Sequence, residues 1–578
     1  MTIHHPAMEA ASRRRYVPNL WDALAFSLVF GGLLLVVHGG HETLAPLASL
    51  NAVPVSLDPW RLPEYAVRTV MRMLAAIIAS LVFTFIYGAV AAKSRRAEMV
   101  LIPLLDILQS VPVLGFLSFT VAGFMALFPG SVLGVELAAI FAIFTAQAWN
   151  MTFSFYQSLK TVPADLDEAS RAFRLSAWQR FWRLEVPFSI PGLVWNTMMS
   201  MSGGWFFVVA SEAISVGNTT ITLPGIGSYV ALAITQQNLT AVGWAVAAML
   251  AIILIYDQLL FRPLVAWSDK FRVELSTGRT APRSWLLDVI RRTRLFQILI
   301  TPVGDALASV PRQRLRVPTA LPARAGKALA SAWADRLWLT LVVLAAAYML
   351  WLIARFVAAE LTFSDVAEVV GLGILTMLRV IVLMALATLI WVPVGVWIGL
   401  RPHVAERVQP LAQFLAAFPA NIVFPFAVLA IVRLGLNPDI WLSPLMVLGT
   451  QWYIFFNVIA GASAFPNDLK EAAATFRIRG WNWWRKVILP GIFPYYVTGA
   501  ITAIGGSWNA SIVAEIASWG DTTLKAHGLG AYIAQATTAG DYPRIMLGIA
   551  VMSVFVLLFN RLLWRPLYSF AGRRLRLN

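Results

Sequence analysis

Glu212 and Glu515 each close a long apolar run, and Arg72 and Arg379 each stand near the start of another. A charge at membrane depth faces a cavity, pairs with a partner or marks function. The two glutamates could flank a central gate, or anchor an outer loop by accepting backbone N–H groups. The two arginines could snorkel, form a structural pair or attract an anionic solute. Asp257 and the amides Gln147, Asn150, Asn196, Gln451, Asn457 and Asn509 also lie in apolar runs, where such groups line a path or join neighbouring helices. Trp205 and Trp508 could narrow that path or pack between helices. The expected pathway set is therefore Gln147, Asn196, Trp205, Glu212, Gln451, Trp508, Asn509 and Glu515.

Enzyme chemistry finds little footing. The six histidines, His4, His5, His38, His41, His403 and His527, make no H-E-x-x-H pair or triad-like arrangement. No G-x-x-x-x-G-K-[ST] segment is present, so the chain is not expected to bind and hydrolyse ATP itself. The absence of cysteine excludes disulfides, thiolate metal sites and Cys nucleophiles. No catalytic residue, metal site or cofactor of its own is expected.

The elements that hold these residues must be membrane helices. The chain is 59% hydrophobic and 13% charged over 578 residues, against about 25% charged in soluble domains. A crossing helix needs about 20 mostly apolar residues. Runs of that order at 23–40, 73–92, 107–135, 137–159, 186–211 and 239–256 are followed by 337–354, 380–400, 408–432, 440–467, 487–514 and 545–560. The reading is an all-α polytopic membrane protein with twelve helices, six per half. The net charge of +16 is broken into clusters between spans, so no nucleic-acid partner is expected. Arg13–Arg15, Lys93, Arg95, Arg96, the 268–330 segment and Arg573, Arg574 and Arg576 all fall on one side, which is then cytoplasmic. Both termini are expected there, and the first run is read as a retained helix.

The halves are copies. An offset of 303 pairs Asp165 with Asp468, Glu168 with Glu471, Trp205 with Trp508, Glu212 with Glu515 and Gly225 with Gly528. Nearer the start the offset is 307, pairing Thr69 with Thr376, Arg72 with Arg379 and Pro112 with Pro419. Equal span numbers make the repeats parallel. The expected layout is a tail at 1–20, a first unit at 21–265, a basic linker at 266–335, a second unit at 336–567 and a tail at 568–578. Within the linker, residues 283–300 could form an amphipathic helix on the inner surface or serve as a solvated tether.

Between spans four and five each copy carries a loop, 163–186 and 466–489. Pro163 or Pro466 opens a helix that Asp165 or Asp468 can cap or favour through its N-terminus. Phe173, Trp178 and Trp182, and Phe476, Trp481 and Trp484, either dock to a partner or pack under their own bundle. These loops resemble the EAA motif of bacterial ABC-importer permeases. Glu168-Ala169-Ser170 and Glu471-Ala472-Ala473 lie nineteen residues before Pro187 and Pro490, the family spacing. Arg174 and Arg477 stand where the family usually has Gly. "GGWFFVVASEAISVG" and "GSWNASIVAEIASWG" resemble the nitrate, sulfonate and taurine branch.

The resemblance implies a type I importer fold of two parallel six-helix units, the first helix of each wrapping a five-helix core. It implies coupling to an ATPase through Asp165, Glu168, Ala169, Phe173, Arg174 and Trp178, and through Asp468, Glu471, Ala472, Phe476, Arg477 and Trp481. The implied partners are two cytoplasmic ATPase subunits, which would bind ATP and Mg, a periplasmic solute-binding protein, a small anionic solute and membrane lipid of the bacterial inner membrane. An ion-gradient-driven transporter or a non-transporting scaffold are the alternatives.

Overall fold

The computed structural model describes residues 19–27, 29–31, 46, 54–111, 113–216, 219–271, 284–309, 328–463 and 465–574. Among them seven helices are long and apolar enough to cross a bilayer, and two bent helix pairs raise the number to nine at most. Twelve spans are predicted, and the difference has local causes. Residues 28 and 32–40 of the first predicted span lie outside the described residues, as do 1–18 and 575–578 of the two expected tails.

In the first half, α1 (Leu62–Lys93) leads to α2 (Arg95–Ser110) and α3 (Val113–Leu127). The predicted span 107–135 is thus divided, because Val111, ahead of Pro112, turns extended at ψ 129°, as residues before proline do. Phe418, ahead of Pro419, does the same at ψ 128°. Then follow α4 (Val132–Lys160), the short α5 (Ala164–Ala172), α6 (Val186–Glu212), a hairpin of β1 (Ala213–Val216) and β2 (Thr219–Thr222), α7 (Ile226–Thr235) and α8 (Leu239–Tyr256). At 27 residues α6 is long enough to cross, but it falls short of the apolarity of the seven, whereas its twin lies within the apolar helix Gly480–Ala514.

The linker carries α9 (Trp285–Arg292) and α10 (Leu295–Ser309), so part of it is helical and not a plain tether. The helical run Leu20–Gly31 docks there. Asp22 is fully buried and accepts the N–H groups of Arg294 at 2.9 Å and Phe296 at 3.0 Å, capping α10 from a distant segment. Phe26 meets Phe296 edge-on, with centroids 5.5 Å apart.

The second half repeats the order with α11 (Ala328–Ala358), α12 (Phe363–Gly399), α13 (Pro402–Ala417), α14 (Phe424–Arg433), α15 (Gln451–Ser463), α16 (Asn467–Thr475), α17 (Leu489–Ala514), β3 (Ile516–Trp519), β4 (Thr522–Lys525), α18 (Leu529–Ala539) and α19 (Tyr542–Phe559). Even the irregularities are copied. A π-helical turn at Phe181–Glu185 recurs at Trp484–Ile488, and one at Asp257–Phe261 recurs at Asn560–Trp564.

Lipid gives apolar side chains little reason to leave it, so close packing at small residues holds such helices together. Gly88 faces Phe155, Gly399 faces Ala462 and the Ile459 carbonyl, and Gly115 faces Ile549 across the two halves, each too closely to admit a Cβ. The halves exchange elements. Val113, Leu114, Leu117 and Val121 of α3 belong to the core of the second half. In return, Ile422 and the flanking Phe414 and Phe418 join the core of the first. α11 runs outside this body, and no residue of its apolar stretch is buried. It touches α2 and α19, and Asp335 at its start pairs with Arg96 at 2.7 Å.

Candidate functional site

Three places gather the polar residues: the loops between α4 and α6 and between α15 and α17, the C-terminal ends of α6 and α17, and a chamber between the halves.

In the loops, α5 and α16 are nine residues each and start after an extended Pro163 or Pro466 with no side-chain cap. Asp165 and Asp468 sit in the first turn, where a negative charge favours the helix end. Both helices end in one motif. Leu175 N–H donates to the Ser170 carbonyl at 3.1 Å and Arg174 N–H to Arg171 at 2.9 Å; Ile478 and Arg477 repeat this on Ala473 and Ala474. This Schellman closure needs a left-handed residue, and Arg174 and Arg477 adopt it at φ 50° and 51°. Arginine thus takes the left-handed position at the place where the resemblance leads one to expect glycine, at a penalty of about 1–2 kcal/mol.

Glu168, Ala169, Glu471 and Ala472 are exposed, whereas Ser170 and Ala473 face inward. Phe173 is 79% exposed and Phe476 76%. Trp178 is half-buried and meets Trp182 edge-on at 5.7 Å, while its twin Trp481 is 71% exposed. The aromatics therefore divide: one group packs under the bundle and Phe173, Phe476 and Trp481 stand free of it.

At the C-terminal end of α6, Glu212 is wholly buried. Its Oε1 accepts from Thr69 at 2.7 Å and from Arg72 Nη1 at 2.7 Å, and its Oε2 from Gly227 N–H at 2.6 Å. Arg72 also makes a two-pronged pair with Glu136 at 2.6 and 2.7 Å. Glu515 repeats the pattern with Thr376 at 2.7 Å, Arg379 at 3.1 Å, and the N–H groups of Gly530 at 2.8 Å and Ala531 at 3.1 Å. Arg379 is completed by Asp439 at 3.0 Å. A Cβ on Gly225 or Gly528 would lie 2.3 Å from these carboxylates. The glutamates therefore pin the first turns of α7 and α18, and both intramembrane arginines are paired. Glu136 and Asp439 escaped the sequence reading, although they too stand 303 apart.

The chamber, of about 140 Å³, lies between α4 and α6 of one half and α15 and α17 of the other. Its walls pair up by the 303 offset: Ala146 with Gly449, Asn150 with Tyr453, Ser202 with Gly505, Gly203 with Gly506, Phe206 with Asn509 and Phe207 with Ala510. The space is thus bounded by equivalent positions of the two copies, at the seam between them. Among the described residues that line it, none is charged.

Of the predicted pathway residues only Asn509 reaches this chamber. Its Oδ1 accepts from Val113 N–H at 2.8 Å, joining the halves. Trp205 and Trp508 are core residues, each 1% exposed. Gln147 is buried with its amide 3.2 Å from the Met73 sulfur, Asn196 bonds Ser154 at 2.9 Å, and Gln451 accepts from Trp391 at 2.8 Å. These, with Glu212 and Glu515, hold helices to one another. Small residues at matching places, Ser202-Gly203 and Gly505-Gly506, were the sequence signal for the chamber.

Residues 80–262 and 391–565 match the family of binding-protein-dependent transport system inner membrane components, over more than half of the chain. The chain belongs to that family. Its two matched segments are the two repeats, so the family domain is present twice, and members are permease subunits that leave ATP hydrolysis to separate ATPases. Similar proteins include the bicarbonate transport system permease protein CmpB of Synechococcus elongatus, 29% identical over 177 residues, which are 31% of this chain and 60% of the relative. The nitrate import permease protein NrtB of Leptolyngbya laminosa is 28% identical over 184 residues, 32% and 62% of the two chains. The glycine betaine/proline betaine transport system permease protein ProW of Escherichia coli is 29% identical over 228 residues, 39% and 59%. The chain thus spans about three fifths of the length of each relative. This permease-family chain is a multi-pass protein of the inner membrane.

Proposed function

We propose that the chain is a fused double permease of an ATP-driven importer, moving a small anion across the inner membrane by alternating access. The observation that carries this is the pair of short loop helices, equal in length and closure, each presenting an exposed glutamate and an exposed phenylalanine. An aromatic side chain held in water at the end of a rigid helix is suited to a socket on another protein. In this reading α5 and α16 carry the EAA motif and each seats in one cytoplasmic ATPase subunit. Closure of the ATPases on ATP pushes both loops and tilts the helices around the chamber between the halves toward the outside. The two halves then act as two parallel six-helix units with both termini in the cytoplasm, and a periplasmic binding protein supplies the solute.

An anionic solute is favoured by the relatives named for bicarbonate and nitrate. The uncharged chamber fits a conduit that holds its solute weakly enough to release it. The test is purification of the full chain in gentle detergent with mass spectrometry of the intact complex, then uptake in proteoliposomes. Two nucleotide-binding subunits per chain and ATP-dependent uptake of nitrate or bicarbonate are expected. A stable complex without any ATPase, with uptake that collapses on adding an ionophore, supports the gradient-driven alternative instead. In the double variant Glu168→Ala/Glu471→Ala, coupled uptake is expected to fall while membrane insertion persists; unchanged uptake defeats the role given to the loops.

A further inference from the structure

The chamber wall is uneven: its hydrogen-bonding capacity is spent on one side and free on the other. On the second half, Thr450 shares a hydrogen bond with Ser507 at 2.8 Å, and Thr502 donates to the Thr498 carbonyl at 3.1 Å. Asn509 donates to the Gly505 carbonyl at 3.2 Å and accepts from Val113 N–H. On the first half, Gln109 near the end of α2 donates to Asn150 Oδ1 at 3.3 Å, which leaves the amide N–H groups of Asn150 without an acceptor among the described residues. Its neighbour Trp149 lines the same wall, and the indole N–H is buried with no hydrogen-bond partner among the described residues. Phe83 and Phe144 meet the Trp149 ring edge-on at 5.8 and 6.1 Å and hold it in place. A buried donor without a partner is rare in a folded protein and calls for an explanation. The repeat does not copy this group. The offsets turn Asn150 into Tyr453 and Gln109 into Ala416. Trp452, the twin of Trp149, packs on Trp391 at 5.3 Å and is not part of the lining.

We infer that Gln109, Trp149 and Asn150 form a holding site for a small oxyanion, built by the first half alone. The inference rests on the importer reading above and names where its solute pauses. The unspent groups are N–H donors, and among the described residues no carboxylate lines the chamber to repel an anion or to hold a cation. A hydrogen bond to an ionised acceptor is about twice as strong as one between neutral groups, so neutral donors bind an oxyanion better than a neutral solute. With no full positive charge opposite it, the anion stays weakly enough held to leave, as a conduit requires. Trp149, Phe206, Phe207, Phe418 and Tyr453 also offer ring faces to the chamber, a surface that attracts quaternary ammonium groups. The unpartnered donors favour the oxyanion, and glycine betaine is the competing ligand in the test.

The test is a magnetic-resonance titration of the full chain in detergent, isotopically labelled at its tryptophan indole nitrogens, with nitrate, bicarbonate, chloride and glycine betaine. The Trp149 signal is the one that Trp149→Phe removes, and unmoved signals from the other indoles show that a variant is folded. Nitrate or bicarbonate is expected to shift the Trp149 signal saturably. Asn150→Asp, which keeps the shape but sets a like charge against the anion, is expected to weaken that binding about tenfold or more. Thr502→Val, which removes a hydroxyl already spent inside its own helix, is expected to change it by less than about twofold. No shift with either oxyanion, an equal response to chloride, a shift with glycine betaine alone, or equal losses in the two variants overturns the inference. ATP-dependent uptake in proteoliposomes, measured on the same preparation with its ATPase subunits, tests the importer reading separately. Uptake without the indole shift sinks the holding site alone, whereas the shift without ATP-dependent uptake leaves the site standing and sinks the importer reading.

Discussion

Arg72 and Arg379 do the same job under different conditions, and that difference is measurable. The Arg72 side chain is 4% exposed between two carboxylates, whereas that of Arg379 is 15% exposed and its partner Asp439 36%. Removing one partner of a buried pair costs about 3–5 kcal/mol because the other charge is stranded. Arg72→Ala is therefore expected to destabilise by about that amount in detergent unfolding, and Arg379→Ala by clearly less. Gly225→Ala should act on the same knot. Its Cβ would occupy the Glu212 carboxylate, and displacing that group leaves the α7 amides unsatisfied, so low yield of folded protein is expected. Arg174→Gly and Arg477→Gly run the other way. Each removes a left-handed strain of about 1–2 kcal/mol and adds back roughly 0.5–1 kcal/mol of chain entropy. A small rise in loop protection from protease, with coupling preserved, checks it.

At the scale of elements, the docking of Leu20–Gly31 onto the linker turns on Asp22. Burial works against its charge, but the amides of Phe296, Asn19, Leu295 and Arg294 outweigh that and hold the carboxyl below its ordinary range. A group with a lowered folded pKa contributes stability above its unfolded value, near 3.9, and loses it as pH falls through the folded value. Asp22→Ala at neutral pH, or acidification below about pH 4, should speed hydrogen exchange at the Arg294 and Phe296 amides. Unchanged exchange would place the tie elsewhere. Asp22 also shows what a sequence hides. The apolar runs announced helices, and the 303 offset announced the loops and the paired glutamates, because these follow from local composition and from copying. A carboxylate capping a helix far along the chain leaves no local pattern. Nor does the division of 107–135 into α2 and α3, where the apolar run is unbroken and only Pro112 marks the bend. The chamber walls were missed for a related reason: hydrophobicity highlights polar residues in spans, but most of those tie helices together, and the open space is made by glycine and serine.

Across the whole molecule, the halves meet again outside the membrane core. Gly520 N–H donates to the Ile234 carbonyl at 2.9 Å, and a Cβ on Gly520 would lie 2.5 Å from Cγ of Gln237. The turn between β3 and β4 thus rests on the end of α7. With no native cysteine, Gln237→Cys/Gly520→Cys places two thiols within disulfide reach. If outward opening separates these elements, the oxidised variant should lose uptake and recover it with reductant; full uptake while cross-linked shows that this contact stays closed throughout the cycle. The exchange of α3 into the opposite core bears as well on how the chain is made. Synthesis delivers Val113–Leu127 early, but Ile533 and Ile549, against which Gly115 fits, emerge only near the end. Until then the first half is a nascent intermediate with an unfilled seam, open to the misassembly that threatens large proteins as they emerge. A chain stopped after the first half leaves α3 without the core it packs into, so rapid clearance of such a truncated chain by membrane proteases is the expected outcome.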